Sequence, residues 1–416
     1  MIGLEEIREA RRLHRGRLEP TPLFPSQALA GKGREVWLKA ENLQPTGSFK
    51  IRGATHRVTH LDAEERRRGV VAASAGNHAQ GVAMAAALQG VPATIVMPAD
   101  SPIIKMEQTR GYGADVHFVD GGIEEAVSRA MALRQEGGLT FIHPFDDPLI
   151  QAGQGTAGLE ILEDRPDVET IVVPVGGGGL IAGISVAVKE QKPDVRIFGV
   201  QAEGAAPAAR SLAEGRRVGL KIASTMADGI RVREVADSTL EVMRRHVEAV
   251  VTISDEEISE AMVLLLERSK LVVEGAGAAG VAALLAGRLP EDLGRTVVVL
   301  SGGNADTNLL SRVIQRGLTA VGRYVQVQVQ IPDRPGYLRK ILDEVAQRRA
   351  NILDIAHDRS GWRVPLGDVQ VELLLETRDP AHGREILAAL ESLGMPTQLW
   401  GRDAYRRQHR RPLPLL

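Results

Sequence analysis

Cysteine is absent from this chain of 416 residues. Its absence excludes disulfides, thiolate metal sites and a cysteine nucleophile. The sequence also lacks a long uncharged apolar run, so it predicts no segment that spans a bilayer. The first twenty residues are charged and helical in pattern, without the apolar core of a signal peptide. We therefore expect a cytoplasmic protein without a membrane partner.

A strong charge of either sign is missing as well, because the formal net charge is −2 at pH 7. Without a basic excess, nothing in the electrostatics favours nucleic acid as a partner. Hydrophobic residues make up 44% of the chain and charged residues 25%, which is typical of a globular protein with sizeable cores. The length predicts about two to three domains.

Short β-branched runs alternate with longer helical segments from about residue 36 to residue 299. Apolar strands separated by helices predict parallel sheets that are buried on both faces. About seven or eight such strands exceed one doubly wound domain, so we expect an α/β fold with two parallel sheets side by side. Ligands bind such sheets at the carboxyl ends of strands, and the loops there should carry the chemistry.

The pattern changes after a helix predicted to end near Ala320. Residues 324–331 alternate apolar and polar side chains with period two, which predicts a half-exposed strand. The order βαββαβ that follows predicts a ferredoxin-like unit over residues 323–402. Residues 403–416 are basic and end in prolines, and we expect a flexible tail there.

The first informative loop is Asn42-Leu43-Gln44-Pro45-Thr46-Gly47-Ser48-Phe49-Lys50, between a predicted strand and a predicted helix. Its turn residues place Lys50 in the first turn of the helix. The helix dipole and partial burial there both favour a neutral amine, the form that attacks a carbonyl. The alternative is a surface lysine on an ordinary connection, and this loop alone favours the alternative.

Two further loops offer sites for anions. In residues 74–78, the main-chain amides, the Ser74 hydroxyl and the Asn77 side chain can hold a carboxylate, although an ordinary helix cap is an equal alternative. The run from Gly176 to Gly179 lets successive N–H groups converge on an anion such as phosphate at a helix N-terminus. It has neither the spacing of a dinucleotide fingerprint nor the lysine of a nucleotide P-loop.

The fourth loop follows a strand with Ser301-Gly302-Gly303-Asn304, and its serine is weak evidence when taken alone. Together, the four loops supply an amine, a carboxylate site, a phosphate site and a neutral hydroxyl. This set fits pyridoxal 5'-phosphate bound to a lysine, with an amino-acid substrate beside it.

These motifs resemble those of threonine dehydratases (threonine ammonia-lyases), which are fold-type II pyridoxal phosphate enzymes. The resemblance covers about residues 19–313 and rests on PTGSFKIRGA, SAGNHAQGVA, the tetraglycine, VVEGAGA and LSGGN. It implies a tryptophan synthase β-like fold, in which two doubly wound parallel-sheet subdomains form a catalytic region over residues 1–320. The smaller subdomain, at about residues 50–150, would be inserted in the larger one.

The resemblance also implies roles for individual residues. Lys50 matches the Schiff-base lysine and catalytic base, Phe49 the residue packed against the cofactor ring, and Asn77 the residue bonded to the ring oxygen. Ser301 matches the catalytic partner of the pyridine nitrogen, and a serine there favours β-elimination over transamination. The phosphate loop corresponds to Gly176, Gly177, Gly178 and Gly179. The loop for the substrate carboxylate corresponds to Ser74, Ala75, Gly76, Asn77 and His78.

The implied reaction deaminates L-threonine to 2-oxobutanoate and ammonia, or L-serine to pyruvate. Racemases of the superfamily carry a second serine where this chain has Ala75, so racemisation is not expected to be the main activity. Related racemases bind a divalent ion through a glutamate, but Gln201 stands at the likeliest aligned position, with Glu203 two residues later. We therefore include no metal ligand among the predicted site residues. The alternatives are a serine-preferring dehydratase or racemase and, in another class, a non-catalytic amino-acid sensor.

The C-terminal unit resembles an ACT regulatory domain, with DRPG in its first turn as the signature. The resemblance implies an amino-acid effector, plausibly isoleucine or valine as in isoleucine biosynthesis, and its identity stays open. It also implies a homo-oligomer, either a dimer or a tetramer.

Overall fold

A computed structural model describes residues 2–31, 33–101, 103–359 and 365–400. The chain divides into two compact units, Met1–Thr307 and Asn308–Leu416. The predicted tail at residues 403–416 lies outside the described residues. Within the described ranges, no helix combines the length and the apolar character that crossing a membrane requires.

Strands and helices alternate through the first unit, as the sequence predicts. The strands are, in chain order, β1 (Leu23–Pro25), β2 (Glu35–Lys39), β3 (Val70–Ala73), β4 (Ala93–Pro98), β5 (Asp115–Val119), β6 (Thr140–Phe141), β7 (Thr170–Pro174), β8 (Arg196–Ala202), β9 (Ala249–Ile253) and β10 (Arg295–Val299).

Most of these strands are separated by at least one α-helix. The helices are α1 (Leu4–His14), α2 (Lys50–Thr59), α3 (Ala63–Arg68), α4 (Asn77–Ala87), α5 (Ile103–Gly111), α6 (Ile123–Gly137), α7 (Pro148–Asp164), α8 (Gly179–Lys189), α9 (Pro207–Ala213), α10 (Asp237–His246), α11 (Asp255–Leu264) and α12 (Gly275–Leu285). Short 3-10 helices cover Glu41–Leu43 and Asp228–Ile230, and a π-helical turn covers Leu265–Ser269.

The larger sheet of the first unit has the strand order β1-β2-β10-β7-β8-β9. Every pairing is parallel except that of the edge strand β1 with β2. The strand β7 is buried at every residue, which explains its unbroken apolar sequence. Because β2, β10 and β7 are neighbours, the loops after these strands leave the same edge of the sheet.

A second parallel sheet has the order β5-β4-β3-β6, and all of its strands come from between β2 and β7 in the chain. The prediction of an α/β fold with two parallel sheets is therefore confirmed. The strands β1 and β6 were not predicted. The strand β1 has three residues, one of them Pro25, and β6 has two residues. Both strands are too short to show a periodic pattern.

The second unit contains an antiparallel sheet. Its elements are α13 (Thr307–Ala320), β11 (Tyr324–Pro332), α14 (Tyr337–Gln347), β12 (Asn351–Asp358), β13 (Asp368–Glu376), α15 (Pro380–Ser392) and β14 (Thr397–Trp400). The sheet order is β12-β13-β11-β14, and buried residues of β11, β13, α14 and α15 form one core. The predicted order βαββαβ is confirmed.

Candidate active site

The chain around Lys50 is fixed by a turn and by contacts to the loop after β10. Gly47 adopts φ +69°, and a Cβ there would lie 2.3 Å from the Asn304 side chain, so only glycine fits. The Phe49 N–H donates to the Ser301 carbonyl at 3.1 Å. The helix α2 then begins at Lys50 itself, where the sequence predicts it.

The Lys50 side chain is half-buried, and its amine has a neutral partner. Its Nζ donates to the Pro144 carbonyl at 2.9 Å and lies 5.2 Å from the centre of the Phe49 ring. Burial lowers the pKa of Lys50 to about 8, although the charge of Glu274 opposes this shift. A much larger fraction of this amine is neutral near pH 7 than of an exposed lysine, as its expected role requires.

The helix α2 is held in place by a buried arginine two residues after Lys50. The Arg52 guanidinium bonds Glu41 at 2.7 and 2.8 Å and Glu160 at 2.7 Å through two nitrogens. Burial would raise the pKa of Glu160, but Arg52 and then Lys39 lower it to about 2. Arg52 makes two hydrogen bonds to each carboxylate, and such bidentate contacts fix both distance and orientation. This cluster therefore determines where the first turn of α2 lies.

The loop after β3 also ends in a helix N-terminus. The Gly76 N–H donates to the Ser74 hydroxyl at 3.1 Å, and α4 begins at Asn77. The His78 side chain donates to the Ile142 carbonyl at 2.9 Å, and burial lowers its pKa to about 3. His78 is therefore a neutral, tethered imidazole, and its main-chain N–H is the group that can reach a substrate carboxylate.

The Asn77 side chain is oriented by two residues that we did not predict as site residues. Its amide donates to the Glu274 carboxyl at 2.6 Å and accepts a hydrogen bond from the Asn304 amide at 2.8 Å. Burial, followed by the charge of Asp228, raises the pKa of Glu274 to about 7. Glu274 is the acidic residue of the VVEGAGA motif, directly before its small residues. This position in the motif is a signal that could have identified Glu274 as a site residue.

The tetraglycine lies between β7 and α8, with Gly178 at φ +95° as the N-cap. A Cβ on Gly177 would lie 2.3 Å from the Phe145 ring, and one on Gly178 would lie 2.8 Å from Thr239. Side chains are therefore excluded from this loop. The first N–H groups of α8 have no partner within the helix and are free to bind an anion.

Ser301 follows β10 and is only 4% exposed. Within the described part of the chain, its hydroxyl has no protein partner for a hydrogen bond. A serine hydroxyl can donate one hydrogen bond and can also accept. It can therefore donate to a neutral ring nitrogen of a bound ligand.

These groups line one cavity of about 500 Å³. It brings together every residue that the sequence predicts for the site, namely Phe49, Lys50, Ser74, Ala75, Gly76, Asn77, His78, Gly176, Gly177, Gly178, Gly179 and Ser301. Glu274 lines the same cavity. Pyridoxal phosphate requires an amine, a loop for its phosphate and a partner for its ring nitrogen. Lys50, the tetraglycine and the Ser301 hydroxyl supply these groups, so the residues present fit this cofactor.

Gln201, where related racemases carry a metal-binding glutamate, has a structural role. Its amide donates to the Val175 carbonyl at 3.1 Å and accepts from the Ala208 and Ala209 N–H groups at 2.9 and 3.1 Å. The amide thus fastens the first turn of α9 to the end of β7. Glu203 lies 3.7 Å from Arg288, so its charge has a partner already.

The sequence was compared with known families and proteins. The model of pyridoxal-phosphate dependent enzymes matches residues 15–302. An L-threonine ammonia-lyase of Thermotoga maritima is 48% identical over 402 residues, which are 96% of this chain and 100% of that protein. An L-threonine ammonia-lyase of Geobacter sulfurreducens is 47% identical over 395 residues, which are 95% and 98% of the two chains.

Solved structures agree with this result. A T.th. threonine deaminase has a TM-score of 0.69 at 43% identity and covers 73% of this chain and 99% of its own. The maize serine racemase has a TM-score of 0.72 at 36% identity and covers 76% and 98% of the two chains. The chain therefore belongs to the family of pyridoxal-phosphate dependent enzymes, and pyridoxal phosphate is its cofactor.

Proposed function

We propose that this protein is an L-threonine ammonia-lyase that forms 2-oxobutanoate and ammonia, and that also converts L-serine to pyruvate. The observation that carries the proposal is the cavity in which Lys50, the tetraglycine, the loop at residues 74–78 and Ser301 converge. The two relatives that align with almost the whole chain both have names that state this activity.

Each group has a task in this reaction. Lys50 would hold the cofactor, and its amine, once free, would accept the Cα proton of the substrate. The loop at residues 74–78 holds the substrate carboxylate, and the N–H groups around Gly176 to Gly179 hold the cofactor phosphate. Phe49 would pack against the cofactor, and an Asn77 amide N–H would be available to donate to it. When bound, the cofactor withdraws electrons from Cα and makes its proton removable.

Ser301 determines the type of reaction. A serine hydroxyl does not hold the pyridine nitrogen protonated as a carboxylic acid would, so less negative charge is drawn into the ring. Loss of the β-hydroxyl is then favoured over transamination. Ala75 has no hydroxyl to act as a second acid or base, which argues against racemisation as the main activity although a serine racemase is a structural neighbour.

We further propose that residues 323–402 are an ACT domain that binds an amino-acid effector. The order βαββαβ and the sheet order β12-β13-β11-β14 support a ferredoxin-like unit of this kind. Residues 1–320 would be the catalytic region, with the smaller subdomain at about residues 50–150. Pairing of such units would make a homo-oligomer, a dimer or a tetramer.

A substrate panel tests the proposed function. The purified protein is assayed with L-threonine, L-serine and their D-forms, each with and without isoleucine or valine. We expect 2-oxoacid from both L-forms, with the larger kcat/KM for threonine, and little product from the D-forms. Interconversion of L- and D-serine that is faster than deamination would support the racemase alternative. Amino-acid binding without turnover would support the sensor.

A further inference from the structure

Helices α1 and α2 bring together two imidazoles and a carboxylate that do not line the cavity. His56 lies in the last turn of α2, and His60, four residues later, caps the C-terminal end of this helix on the same face. Glu9 approaches from α1. One ligand atom from each of the three lies within 4.8 Å of the others. Two imidazole nitrogens with one carboxylate are a ligand set that divalent transition metals favour.

The hydrogen bonds of the two histidines fix which ring nitrogens are available. His56 Nδ1 lies 2.8 Å from the Leu149 carbonyl, and His60 Nδ1 lies 2.9 Å from the His56 carbonyl. Because a carbonyl oxygen can only accept, both Nδ1 atoms carry hydrogen, and in the neutral rings both Nε2 atoms keep a lone pair. Histidines that bind metals usually show this arrangement, in which the second ring nitrogen donates to a carbonyl.

The buried nitrogen of this cluster lacks a partner. The His56 side chain is 0% exposed, and its Nε2 forms no hydrogen bond within the described residues. Leaving a buried acceptor without a partner costs free energy, so an ordinary structural role explains this imidazole poorly.

We propose that Glu9, His56 and His60 bind one divalent transition-metal ion, for which zinc is the natural candidate. Two zinc ligands at tetrahedral angles lie about 3.3 Å apart, and His60 Nε2 lies 3.5 Å from the Glu9 carboxylate. The His60 and Glu9 side chains are 28% and 48% exposed, so they can close on the ion while His56 stays fixed. Water supplies the fourth ligand from the exposed side.

The ion would fasten α1 to the helix that begins with Lys50. These helices already meet where His14 of α1 donates to the Arg52 carbonyl at 2.9 Å. The metal adds a second link about one turn from this contact on α2. The role of the ion is therefore structural. Its binding should increase the stability of the fold whether or not the enzyme is turning over substrate.

The test uses the untagged holoenzyme after removal of metals by a chelator. Titration with zinc in a calorimeter should show one ion bound per chain, and cobalt should bind with the visible spectrum of a four-coordinate site. Zinc should also raise the melting temperature. His60→Gln and Glu9→Gln should weaken zinc binding by at least about a hundredfold, because losing even a supporting partner of a metal ligand costs ten- to a hundredfold.

His117→Gln is the matched control. His117 is an exposed imidazole with a carboxylate partner, Asp115 at 2.7 Å, but among the described residues it belongs to no group of three side chains that could ligate one ion. This variant should bind zinc like the wild type. The proposal is overturned if the wild type shows no saturable binding of one ion, or if His60→Gln binds as tightly as the wild type. It is equally overturned if His60→Gln lowers the melting temperature while zinc changes nothing, since a proton shared with Glu9 would then hold the cluster.

Discussion

Lys50 and Glu274 line the same cavity, and burial moves their pKa values towards each other. The pKa of Lys50 falls to about 8 and that of Glu274 rises to about 7. Groups that titrate near neutral pH can both give and accept protons during turnover. At the scale of single residues, therefore, the cavity is prepared for proton transfer before any ligand enters.

The protonation of Lys50 should govern how fast the apoenzyme captures its cofactor. Only the neutral amine reacts with the aldehyde of pyridoxal phosphate, and its fraction reaches one half at a pH near 8. We expect the rate to rise about tenfold per pH unit below this midpoint and then to level off. Stopped-flow visible absorbance measures it.

Glu274→Gln is the companion variant for this measurement. The negative charge of Glu274 raises the pKa of Lys50, so its removal should move the midpoint of the rate to lower pH. A rate that does not change with pH in the wild type would contradict the account of Lys50.

Glu274 should also make the stability of the apoenzyme depend on pH. Its folded pKa, about 7, lies above the ordinary value of 4.5, so the stability it contributes is full below about pH 4.5 and is lost as the pH rises through 7. Glutamine cannot ionise. Between pH 5 and pH 8, the free energy of unfolding of the wild type should fall by on the order of 2 kcal/mol more than that of Glu274→Gln. Urea unfolding of both apoproteins checks this, and equal losses would contradict it.

Among the secondary-structure elements, α2 carries both the reactive amine and its anchor. Lys50 opens the helix, and Arg52 ties it to Glu41 and Glu160 through a buried cluster of charges. A buried ion pair adds little net stability, but removal of one partner leaves an unpaired buried charge. The intact cluster should therefore fix where Lys50 lies, and breaking it should destabilise the fold.

Glu160→Gln should destabilise the fold by about 3–5 kcal/mol because it leaves Arg52 partly unpaired. The folded pKa of Glu160 is lowered to about 2, so its stabilising effect is present above the ordinary value of 4.5 and is lost as the pH falls through 2. Urea unfolding between pH 7 and pH 3 should show wild type and variant converging.

Glu163→Gln, in the same helix α7, is the control for this prediction. Glu163 is 59% exposed and pairs with Arg11 at 3.1 Å, so its loss should cost no more than about 1 kcal/mol. Similar losses in both variants would show that the burial of the cluster is not what matters.

The tetraglycine gives a prediction about the cofactor phosphate. Gly177→Ala places a methyl group 2.3 Å from the Phe145 ring, so the loop or this ring must move. We expect the apoenzyme to bind pyridoxal phosphate at least about tenfold more weakly, since the N–H groups of the loop no longer converge. Gly111→Ala is the control, because its Cβ meets no atom within 4 Å. Titration followed by absorbance decides, and unchanged affinity of Gly177→Ala would contradict the phosphate assignment.

The sequence predicted most elements of the fold because their patterns are local. The starts of α2 at Lys50 and of α14 at Tyr337 follow from turn residues, and the alternation in β11 follows from its half-buried sheet. The π-helical turn Leu265–Ser269 was not predicted because an extra residue in a helical turn leaves no periodic signal.

The site residues found from the sequence follow directly after strands, whereas those we missed depend on long-range packing. Asn77 meets Glu274 and Asn304, which lie 197 and 227 residues away in the chain. Such contacts arise only when the two sheets of the first unit have formed. The buried Arg52 cluster likewise joins residues that are distant in sequence. No local pattern predicts which buried charges will find each other.

At the scale of the whole molecule, the protein combines two units of different architecture. The Thermotoga maritima and Geobacter sulfurreducens relatives align over 96% and 95% of the chain, whereas the T.th. threonine deaminase covers 73%. The second unit is therefore shared with the Thermotoga maritima and Geobacter sulfurreducens relatives. The T.th. threonine deaminase, in contrast, matches only part of this chain although 99% of its own length is covered.

Removal of the proposed ACT domain should separate regulation from catalysis. We expect isoleucine or valine to change the kcat/KM of the full chain for threonine, and a chain ending at Gly322 to keep turnover but lose this response. Calorimetry with the full chain gives an independent readout, because the effector should bind whether or not the shortened chain folds. An unchanged response after truncation would contradict the proposed ACT domain.

The most direct test of the account is Lys50→Ala. If Lys50 binds the cofactor and removes the Cα proton, the purified variant should lack the visible absorbance of covalently bound pyridoxal phosphate. It should also deaminate threonine at least about a thousandfold more slowly than the wild type. Lys221→Ala, at an exposed lysine, should change neither property. A Lys50→Ala enzyme that deaminates threonine at the wild-type rate would contradict the central claim.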